Sequence, residues 1–397
     1  MLDAKFDSAM LRKSVAVVAG VDVNGLGVVR SLAQEHVPTI ALDTDLSKAT
    51  LATRFGHKVR VSALAGEAFV TALLQLAARL PHKPVLILTQ EDSVATVCAA
   101  QDRLAPAYHF SMPDVATMRT LLDKQGFQRA AEKLNCLIPR SLSLAVGMDL
   151  QRFDELRYPC VVKPLTKEAA YSNKFAKAYK VASAREAIEL WTQMREVVVE
   201  VIAQEWIEGS DSDVYFCLQY RSARGAPPVS FVGQKICQWP PLVGGTASCV
   251  PAPDAQDELI DMTNRFFAGV GFVGLGSMEY KRDARDKKFY MVEPTVGRTD
   301  YQEEVATLNG VNIPLAVYCG ELGLPAPATK SVTPPRAWRD SLAYHKARAV
   351  GAPDPLAQIS PQAKVMDAYL RLDDPLPFVC LKFEPVQRRL RRLTAGS

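Results

Sequence analysis

The sequence predicts an α/β and α+β protein of two or three domains that begins with a parallel sheet. Its 397 residues exceed one ordinary hydrophobic core, and 48% of them are hydrophobic, enough to fill more than one. Strands alternate with helices near the start of the chain, whereas several strands follow one another further on. The formal net charge of +4 is a small difference between 47 basic and 43 acidic residues, which argues against a dedicated nucleic-acid binder.

The first domain is predicted over residues 1–112. An apolar strand from Ser14 to Ala19 leads into a glycine-containing turn, Gly20 to Gly27, and then into a helical stretch. Two further predicted strands, Thr39 to Leu42 and Pro84 to Leu88, each lead into polar, acidic residues. This alternation indicates βαβ units, whose ligand crevice lies at the carboxyl ends of the strands.

The glycines of this turn admit two interpretations. One is a dinucleotide fingerprint, which would make the protein a nicotinamide-dependent oxidoreductase. The other is a glycine turn that allows a helix to start in a tightly packed place. The spacing of Gly20, Gly25 and Gly27 is not GxGxxG, which favours the second interpretation.

The second domain is predicted over residues 113–324 and is α+β in pattern. A proline-containing stretch, Ser111 to Asp114, predicts the boundary that precedes it. A Pro-rich extension follows over residues 325–397. The elements predicted within the second domain are helices over 115–124, 128–134 and 184–194 and strands over 160–163 and 197–206.

The extension ends in a short basic segment, Gln387 to Leu393. One interpretation is a solvated helix end. The other is contact with an acidic partner or an anionic membrane surface.

Cysteine usage and the N-terminus predict a cytoplasmic protein with reduced thiols. The eight cysteines form no CxxC pair, and no histidine stands at zinc-ligand spacing. The first residues are polar and mixed in charge, unlike a signal peptide, and no run of about 18 apolar residues follows. We therefore expect no integral membrane segment.

Two acidic residues on a predicted hairpin indicate a metal site. One short strand is predicted before the polar turn Asp283 to Lys288 and another after it. If the hairpin is symmetric about Asp286, Glu279 lies opposite Glu293. Two carboxylates at this distance repel, so either one takes a proton or a cation lies between them. Hard oxygen ligands of this kind suit Mg²⁺ bridging nucleotide phosphates.

Five motifs, taken in order, resemble the ATP-grasp superfamily and in particular its carboxylate–amine ligase branch. An apolar strand delivers Lys163 just before a proline, and Lys124 opens a segment upstream. The stretch from Val197 to Gly209 looks like the hinge strand of that superfamily, and Lys235 stands in a segment similar to that branch. The two acids Glu279 and Glu293 match the metal-binding acids of the pattern.

The resemblance implies one ATP site and gives each matching residue a part in it. The resemblance gives Asp213 a contact with the ribose, but a role in forming a turn explains this residue equally well. The implied parts are the phosphates (Lys124 and Lys163), the adenine (Glu205, Trp206 and Ile207), the ribose (Asp213), the transferring phosphate and substrate carboxylate (Lys235 and Arg298), and Mg²⁺ (Glu279 and Glu293).

The resemblance also implies an organisation and an activity. Residues 1–112 would be the domain that commonly precedes the grasp, and residues 113–324 the ATP-grasp domain, with a lid over about 127–203. Members of the superfamily generally activate a carboxylate with ATP as an acylphosphate, which an amine or another nucleophile such as a thiol displaces. The expected partners are therefore a small-molecule carboxylate and an amine, in an enzyme that could be a homo-oligomer.

Two departures from the family pattern keep a second function open. Thr295 stands where an asparagine usually follows the second acid, and the loop after Pro164 contains no glycine. An ATP-binding sensor or scaffold without ligase turnover is the alternative that these departures favour.

Overall fold

The computed structural model describes residues 13–164, 174–175 and 178–383. The chain divides into two compact units, which are described separately. The predicted boundaries at 112 and 324, and the predicted lid, stay predictions. Unit 1 comprises Met1–Leu134, Ser210–Glu279 and Glu293–Ser397, and unit 2 comprises Asn135–Gly209 and Tyr280–Val292.

Unit 1 begins with a four-stranded parallel sheet, which confirms the predicted α/β start. The three strands in the order β2-β1-β4 are buried along their whole length, as parallel strands covered on both faces are. The edge strand β3 was not predicted, because only Val59 of its four residues is buried. The strands are β1 (Ala16–Ala19), β2 (Thr39–Asp43), β3 (His57–Arg60) and β4 (Val85–Leu88), in the order β3-β2-β1-β4.

Within the described residues, six α-helices accompany this sheet in the first part of unit 1. A single helix is predicted over 115–124, but Asp123 is extended and its carboxylate accepts a hydrogen bond from the Gly126 N–H at 2.6 Å. That cap ends one helix and starts the next. The helices are α1 (Val23–Ala33), α2 (Gly66–Ala77), α3 (Glu91–Ala99), α4 (Gln101–Leu104), α5 (Val115–Leu122) and α6 (Lys124–Lys133).

Unit 2 is built on a four-stranded sheet in the order β5-β8-β6-β7, with antiparallel neighbours. One helix packs Trp191 and Met194 into a core that it shares with these strands. The elements are β5 (Ser141–Ala145), β6 (Cys160–Pro164), β7 (Tyr179–Val181), α7 (Ala184–Met194) and β8 (Glu200–Glu205).

A seven-stranded sheet follows, in the order β13-β12-β9-β10-β11-β14-β15. The last two strands come from the Pro-rich extension and pair with the strands before it. The strands are β9 (Val214–Arg221), β10 (Val229–Trp239), β11 (Gly245–Pro251), β12 (Gly274–Arg282), β13 (Phe289–Val296), β14 (Arg336–Arg339) and β15 (Lys364–Asp367).

One core holds unit 1 together, because residues of the parallel sheet, of β9 and of the extension pack in the same apolar cluster. Among the described residues, none of the helices is both long enough and apolar enough to cross a membrane. The later helices are α8 (Gln256–Gly269), α9 (Glu304–Leu308), α10 (Ile313–Leu322), α11 (Ser341–Ala349), α12 (Leu356–Ile359) and α13 (376–383).

Candidate functional site

The centre of the candidate site is an ion pair between β10 and β12. Lys235 is almost fully buried, and its Nζ donates to Oε2 of Glu279 at 2.5 Å. A β-bulge follows Lys235 in β10, the kind of irregularity that redirects a side chain beside a functional site. The structure therefore brings together two residues that the sequence assigned to different parts of one site.

The two predicted metal-binding acids lie on adjacent strands, Glu279 on β12 and Glu293 on β13. The N–H of Gly297 donates to the C=O of Leu275 at 2.8 Å across β13 and β12. At the turn, the N–H of Asp283 donates to the C=O of Lys288 at 2.9 Å, a register that differs by one residue from that of the Leu275–Gly297 bond. The hairpin is therefore not symmetric about Asp286 along its whole length, and the direct opposition of Glu279 and Glu293 stays a prediction. Glu293 is exposed and Glu279 is partly buried.

The pKa of Glu279 reflects this crowding of charge. Partial burial raises it, the Lys235 ammonium opposes that rise, and the negative charges of Asp300 and Glu293 add to it. Lys235 thus helps to keep Glu279 ionised in a place where three carboxylates gather.

Asp300 is the third of these carboxylates, and sequence reasoning gave it no role. Its Oδ2 accepts from the Ser277 hydroxyl at 2.8 Å and from the Gln302 amide at 3.1 Å. Ser277 shares a face of β12 with Glu279, two residues away. The only sequence signal was its position, just beyond the strand that carries Glu293.

Glu303 was also missed, and it is 1% exposed. Its Oε2 accepts from the backbone N–H of Asp300 at 3.3 Å, and its Oε1 has no hydrogen-bond partner among the described residues. Burial, and secondly the charge of Asp300, raises the pKa of Glu303 to about 8. A carboxyl group is therefore held largely protonated at neutral pH, next to the acidic cluster.

The remaining predicted residues of unit 1 make local contacts. Arg298 donates to the carbonyl oxygen of Thr299 at 3.1 Å. Asp213 accepts from both the N–H and the hydroxyl of Ser210, which is the turn-forming role that the sequence left open. Lys124 is exposed on the first turn of α6.

Unit 2 holds the predicted adenine segment and the second predicted phosphate lysine. Lys163 lies on β6, where its Nζ is 3.4 Å from Oε1 of Gln204 on β8. Glu205 accepts from the Arg157 N–H at 2.9 Å, and the Trp206 N–H donates to Pro159. Lys180 lies over the Trp206 ring, and Ile207 is buried, so this segment is held firmly at the end of β8.

The glycine turn after β1 serves close packing. A Cβ added at Gly25 would meet the carbonyl oxygen of Gly20, and one added at Gly27 would meet Glu304. The fully buried Asp43 accepts from the N–H groups of Val21, Thr44 and Asp45 and from Lys48. Its carboxylate is committed to the fold, which argues against a dinucleotide ribose at this position.

Solved structures with similar folds were found, whereas no protein-family model and no curated protein matches the sequence. Phosphoribosylglycinamide synthetase from Anaerococcus prevotii aligns with a TM-score of 0.61 at 12% identity, over 82% of this chain and 79% of that chain. The biotin carboxylase from Campylobacter jejuni, in complex with an ATP analogue, gives 0.60 at 13% identity, over 81% and 73%. N5-carboxyaminoimidazole synthase from Aspergillus clavatus, in complex with ADP and 5-aminoimidazole ribonucleotide, gives 0.58 at 16%, over 81% and 80%.

The chain has the ATP-grasp fold. The predicted fold class is thereby confirmed. Identities of 12–16% carry the fold alone, so activity and substrates are proposals.

The acidic residues of the candidate site suit Mg²⁺. Among the described residues there is no group of three or more His, Cys, Asp or Glu side chains arranged to hold a metal ion. Mg²⁺ in phosphate-transfer sites needs only one or two protein carboxylates, because substrate phosphates and water complete its shell. Glu279 and Glu293, on adjacent strands and with the negative charge of Asp300 also acting on Glu279, meet that need.

One of the two departures from the ATP-grasp pattern lies within the described residues. Thr295 lies half-buried on β13, with its carbonyl oxygen close to Gly276 of β12. The glycine-free loop covers residues 165–177, and all of it except residues 174 and 175 lies outside the described part of the chain.

Proposed function

We propose that the protein is an ATP-dependent ligase that activates a small-molecule carboxylate for attack by an amine or another nucleophile such as a thiol. The observation that carries this proposal is the group Lys235, Glu279 and Glu293: a buried ammonium bound to one of two carboxylates on adjacent strands, in a chain with the ATP-grasp fold. Structural neighbours with this fold include proteins crystallised with ADP, which supports a nucleotide as ligand.

The proposed reaction has two steps. An oxygen of the substrate carboxylate attacks the γ-phosphorus of ATP, which breaks the bond to the bridging oxygen and yields an acylphosphate and ADP. The nucleophile then attacks the acyl carbon, inorganic phosphate leaves, and the amine loses a proton. Phosphoryl transfer of this kind depends on positioning and charge neutralisation rather than on covalent catalysis by the protein.

Different residues of the chain would contact the different groups of ATP and the substrate. Lys124 and Lys163 would hold the α and β phosphates, and Arg298 would offset charge near the γ-phosphate and the substrate carboxylate. The proposed adenine contacts are Glu205, Trp206 and Ile207, and the proposed ribose contact is Asp213.

Lys235 would have two tasks. It would compensate charge at the transferring phosphate, and it would orient Glu279 and keep it ionised through their 2.5 Å contact. Glu279 and Glu293 would hold Mg²⁺, which when bound neutralises phosphate charge and orients the transferring group.

The second candidate function is an ATP-binding sensor or scaffold without turnover. Thr295 favours it, because one hydroxyl replaces the amide that usually follows the second acid. The Lys235 ammonium favours it too, since it already occupies one oxygen of Glu279.

ADP formation separates the two functions. The purified protein is incubated with ATP, Mg²⁺ and pools of small carboxylic acids and amines. The ligase proposal predicts ADP release that requires one acid and rises with one nucleophile. ATP binding without substrate-dependent ADP release would favour the sensor and overturn the ligase.

A further inference from the structure

The segment that follows β8 is bound to the turn between β12 and β13, and both belong to unit 2. In that turn, Nη2 of Arg285 donates to the carbonyl oxygen of Trp206 at 3.2 Å. The Ala284 N–H donates to the carbonyl oxygen of Glu208 at 2.9 Å. The turn therefore places a guanidinium beside the segment that is proposed to hold the base of the nucleotide.

A buried carboxylate holds this guanidinium in place. Asp283 has a fully buried side chain, and it accepts from Nε of Arg285 at 2.8 Å and from Nη2 at 2.5 Å. Nη2 of Arg157 contacts the same carboxylate at 3.2 Å. The backbone N–H of Arg157 donates to Oε1 of Glu205 at 2.9 Å. Asp283 thus fixes Arg285 directly and is connected through Arg157 to the proposed adenine carboxylate.

The Arg285 guanidinium has donors to spare. A guanidinium is planar, so its Nη1 and Nη2 groups present two parallel N–H bonds on the edge away from the stem. Nη2 uses its bonds on Asp283 and on Trp206, whereas Nη1 makes no hydrogen bond with any residue that the structure describes. The side chain is 32% exposed, so a ligand can reach it. An acceptor beside the Trp206 carbonyl would meet this Nη1 donor.

Glu205 provides a charged acceptor at the same end of β8. Its Oε1 accepts from Arg157, while Oε2 has no hydrogen-bond partner within the described part of the chain. The side chain is half-buried and therefore still open to a ligand. The proposed base site thus combines one charged donor, Arg285, with one charged acceptor, Glu205.

The two classes of purine differ in the edge that such a site would contact. Adenine has a 6-amino group that donates and an N1 that accepts, whereas a 6-oxopurine has an oxygen that accepts and an N1–H that donates. A site with acceptors alone takes the 6-amino group and rejects the 6-oxo group, because two acceptors would face each other unpaired. A site with a donor and an acceptor can pair with either base.

We propose that Arg285 makes the base site tolerant of a 6-oxo group, so that the protein binds 6-oxopurine nucleoside triphosphates as well as ATP. Nη1 of Arg285 donates to the 6-oxo group, and Oε2 of Glu205 accepts from the N1–H. With ATP, the same Glu205 oxygen accepts from the 6-amino group. This inference rests on the proposed nucleotide site and adds to it the class of base and the residue that determines it.

Calorimetric titration of the full-length protein with ATP and with inosine triphosphate tests the proposal. Inosine triphosphate carries the 6-oxo group on the same ribose and phosphates. We expect the two dissociation constants to lie within about tenfold of each other.

Arg285→Met removes the donors and keeps an unbranched side chain. It should weaken inosine triphosphate binding about tenfold or more, as for a lost hydrogen bond from a charged group. ATP binding should weaken less than about threefold, because the Trp206 carbonyl oxygen becomes available to the 6-amino group. The ratio of the two dissociation constants is the readout, since a general loss of structure would weaken both nucleotides alike.

Two further variants separate recognition of the base from structure. Arg285→Lys keeps a positive charge beside Asp283 but has no parallel pair of N–H bonds, so it should change the ratio in the same direction. Arg185→Met makes the matched change in an exposed arginine of α7, which pairs with the exposed Glu189 at 3.7 Å. This control should bind both nucleotides like the wild type.

Three results would overturn the proposal. The first is wild-type binding of inosine triphosphate that is more than about tenfold weaker than binding of ATP. The second is a ratio that Arg285→Met leaves unchanged, which would give Arg285 a structural role alone. The third is a wild type that binds neither nucleotide, which would show that the proposed nucleotide site itself is wrong.

Discussion

Lys235 and Glu279 form a contact of 2.5 Å in which the lysine side chain is 4% exposed and the glutamate 31%. A buried ammonium depends on its counter-ion, because an unpaired charge in the interior is costly. Glu279 therefore has a structural task as well as its proposed task at the metal, whereas the exposed Glu293 has no such task.

This difference predicts opposite stability effects for one chemical change. Glu279→Gln should lower the free energy of unfolding by about 3 kcal/mol, at the low end for a broken buried pair because Glu279 is partly exposed. Glu293→Gln should change it by less than about 1 kcal/mol and in the stabilising direction, since it relieves repulsion with Glu279. Urea denaturation of both variants measures the two values, and equal losses would show that the ion pair is not structural.

The buried carboxyl of Glu303 predicts a pH dependence of stability. Its folded-state pKa of about 8 lies above that of an unfolded glutamate, so the folded chain binds the extra proton between those values. Its contribution is fully present below about pH 4, and is lost as pH rises towards 8, with a slope of up to about 1.4 kcal/mol per pH unit.

Glu303→Gln removes this titration and keeps the shape of the side chain. The variant should gain stability over the wild type as pH rises from 5.5 to 7.5 in a denaturation series. A constant difference between the two proteins across that range would contradict the assignment of a raised pKa to Glu303.

The proposed phosphate role of Lys163 predicts a loss of ATP affinity without a loss of fold. Lys163→Ala removes a charge-assisted contact from β6 while its apolar neighbours stay in the core. Calorimetric titration with ATP should show at least about tenfold weaker binding. Lys133→Ala, an exposed lysine at the end of α6, is the matched control and should bind normally. Unchanged affinity in the first variant removes Lys163 from the site.

A buried ion pair links helix α1 to the extension within unit 1. Arg30 of α1 contacts Asp374 at 2.9 Å, and Thr53 and the Arg54 N–H also donate to this carboxylate. Asp374→Ala should cost about 3–5 kcal/mol, because it leaves Arg30 buried and unpaired. Asp373→Ala changes the adjacent, exposed residue and should cost less than about 1 kcal/mol. Similar losses in both variants would mean that the buried pair contributes little.

The sequence predicted well where a pattern is local. The apolar runs of β1 and β4 indicate buried parallel strands directly, and α7 has the predicted bounds because Ser183 caps its first turn. The edge strand β3 was not predicted, because its side chains are largely polar. The break between α5 and α6 at Asp123 was not predicted either, because helical spacing continues on both sides of it.

In the candidate site too, local features could be predicted from the sequence, whereas tertiary contacts could not. The hairpin whose strands carry Glu279 and Glu293 is local, so the hairpin itself could be predicted from its turn. Its register was less predictable, because Asp283 bonds to Lys288 at the turn whereas Leu275 bonds to Gly297 at the far end. The contact between Lys235 and Glu279 could not be predicted, because β9 lies between their strands in the sheet. The burial of Glu303 and the hydrogen bonds of Asp300 depend on tertiary packing, which residue spacing does not encode.

The most direct test of the central claim is Mg²⁺-dependent ADP formation by the wild type and by Glu293→Gln, measured with the carboxylate and nucleophile found by screening. We expect substrate-dependent turnover in the wild type and a folded Glu293→Gln variant, at least as stable as the wild type, whose turnover is lost by about two orders of magnitude or more, as for a lost electrostatic contact to the transition state. Normal turnover in that variant would contradict the metal site, and ATP binding without turnover in the wild type would contradict the ligase.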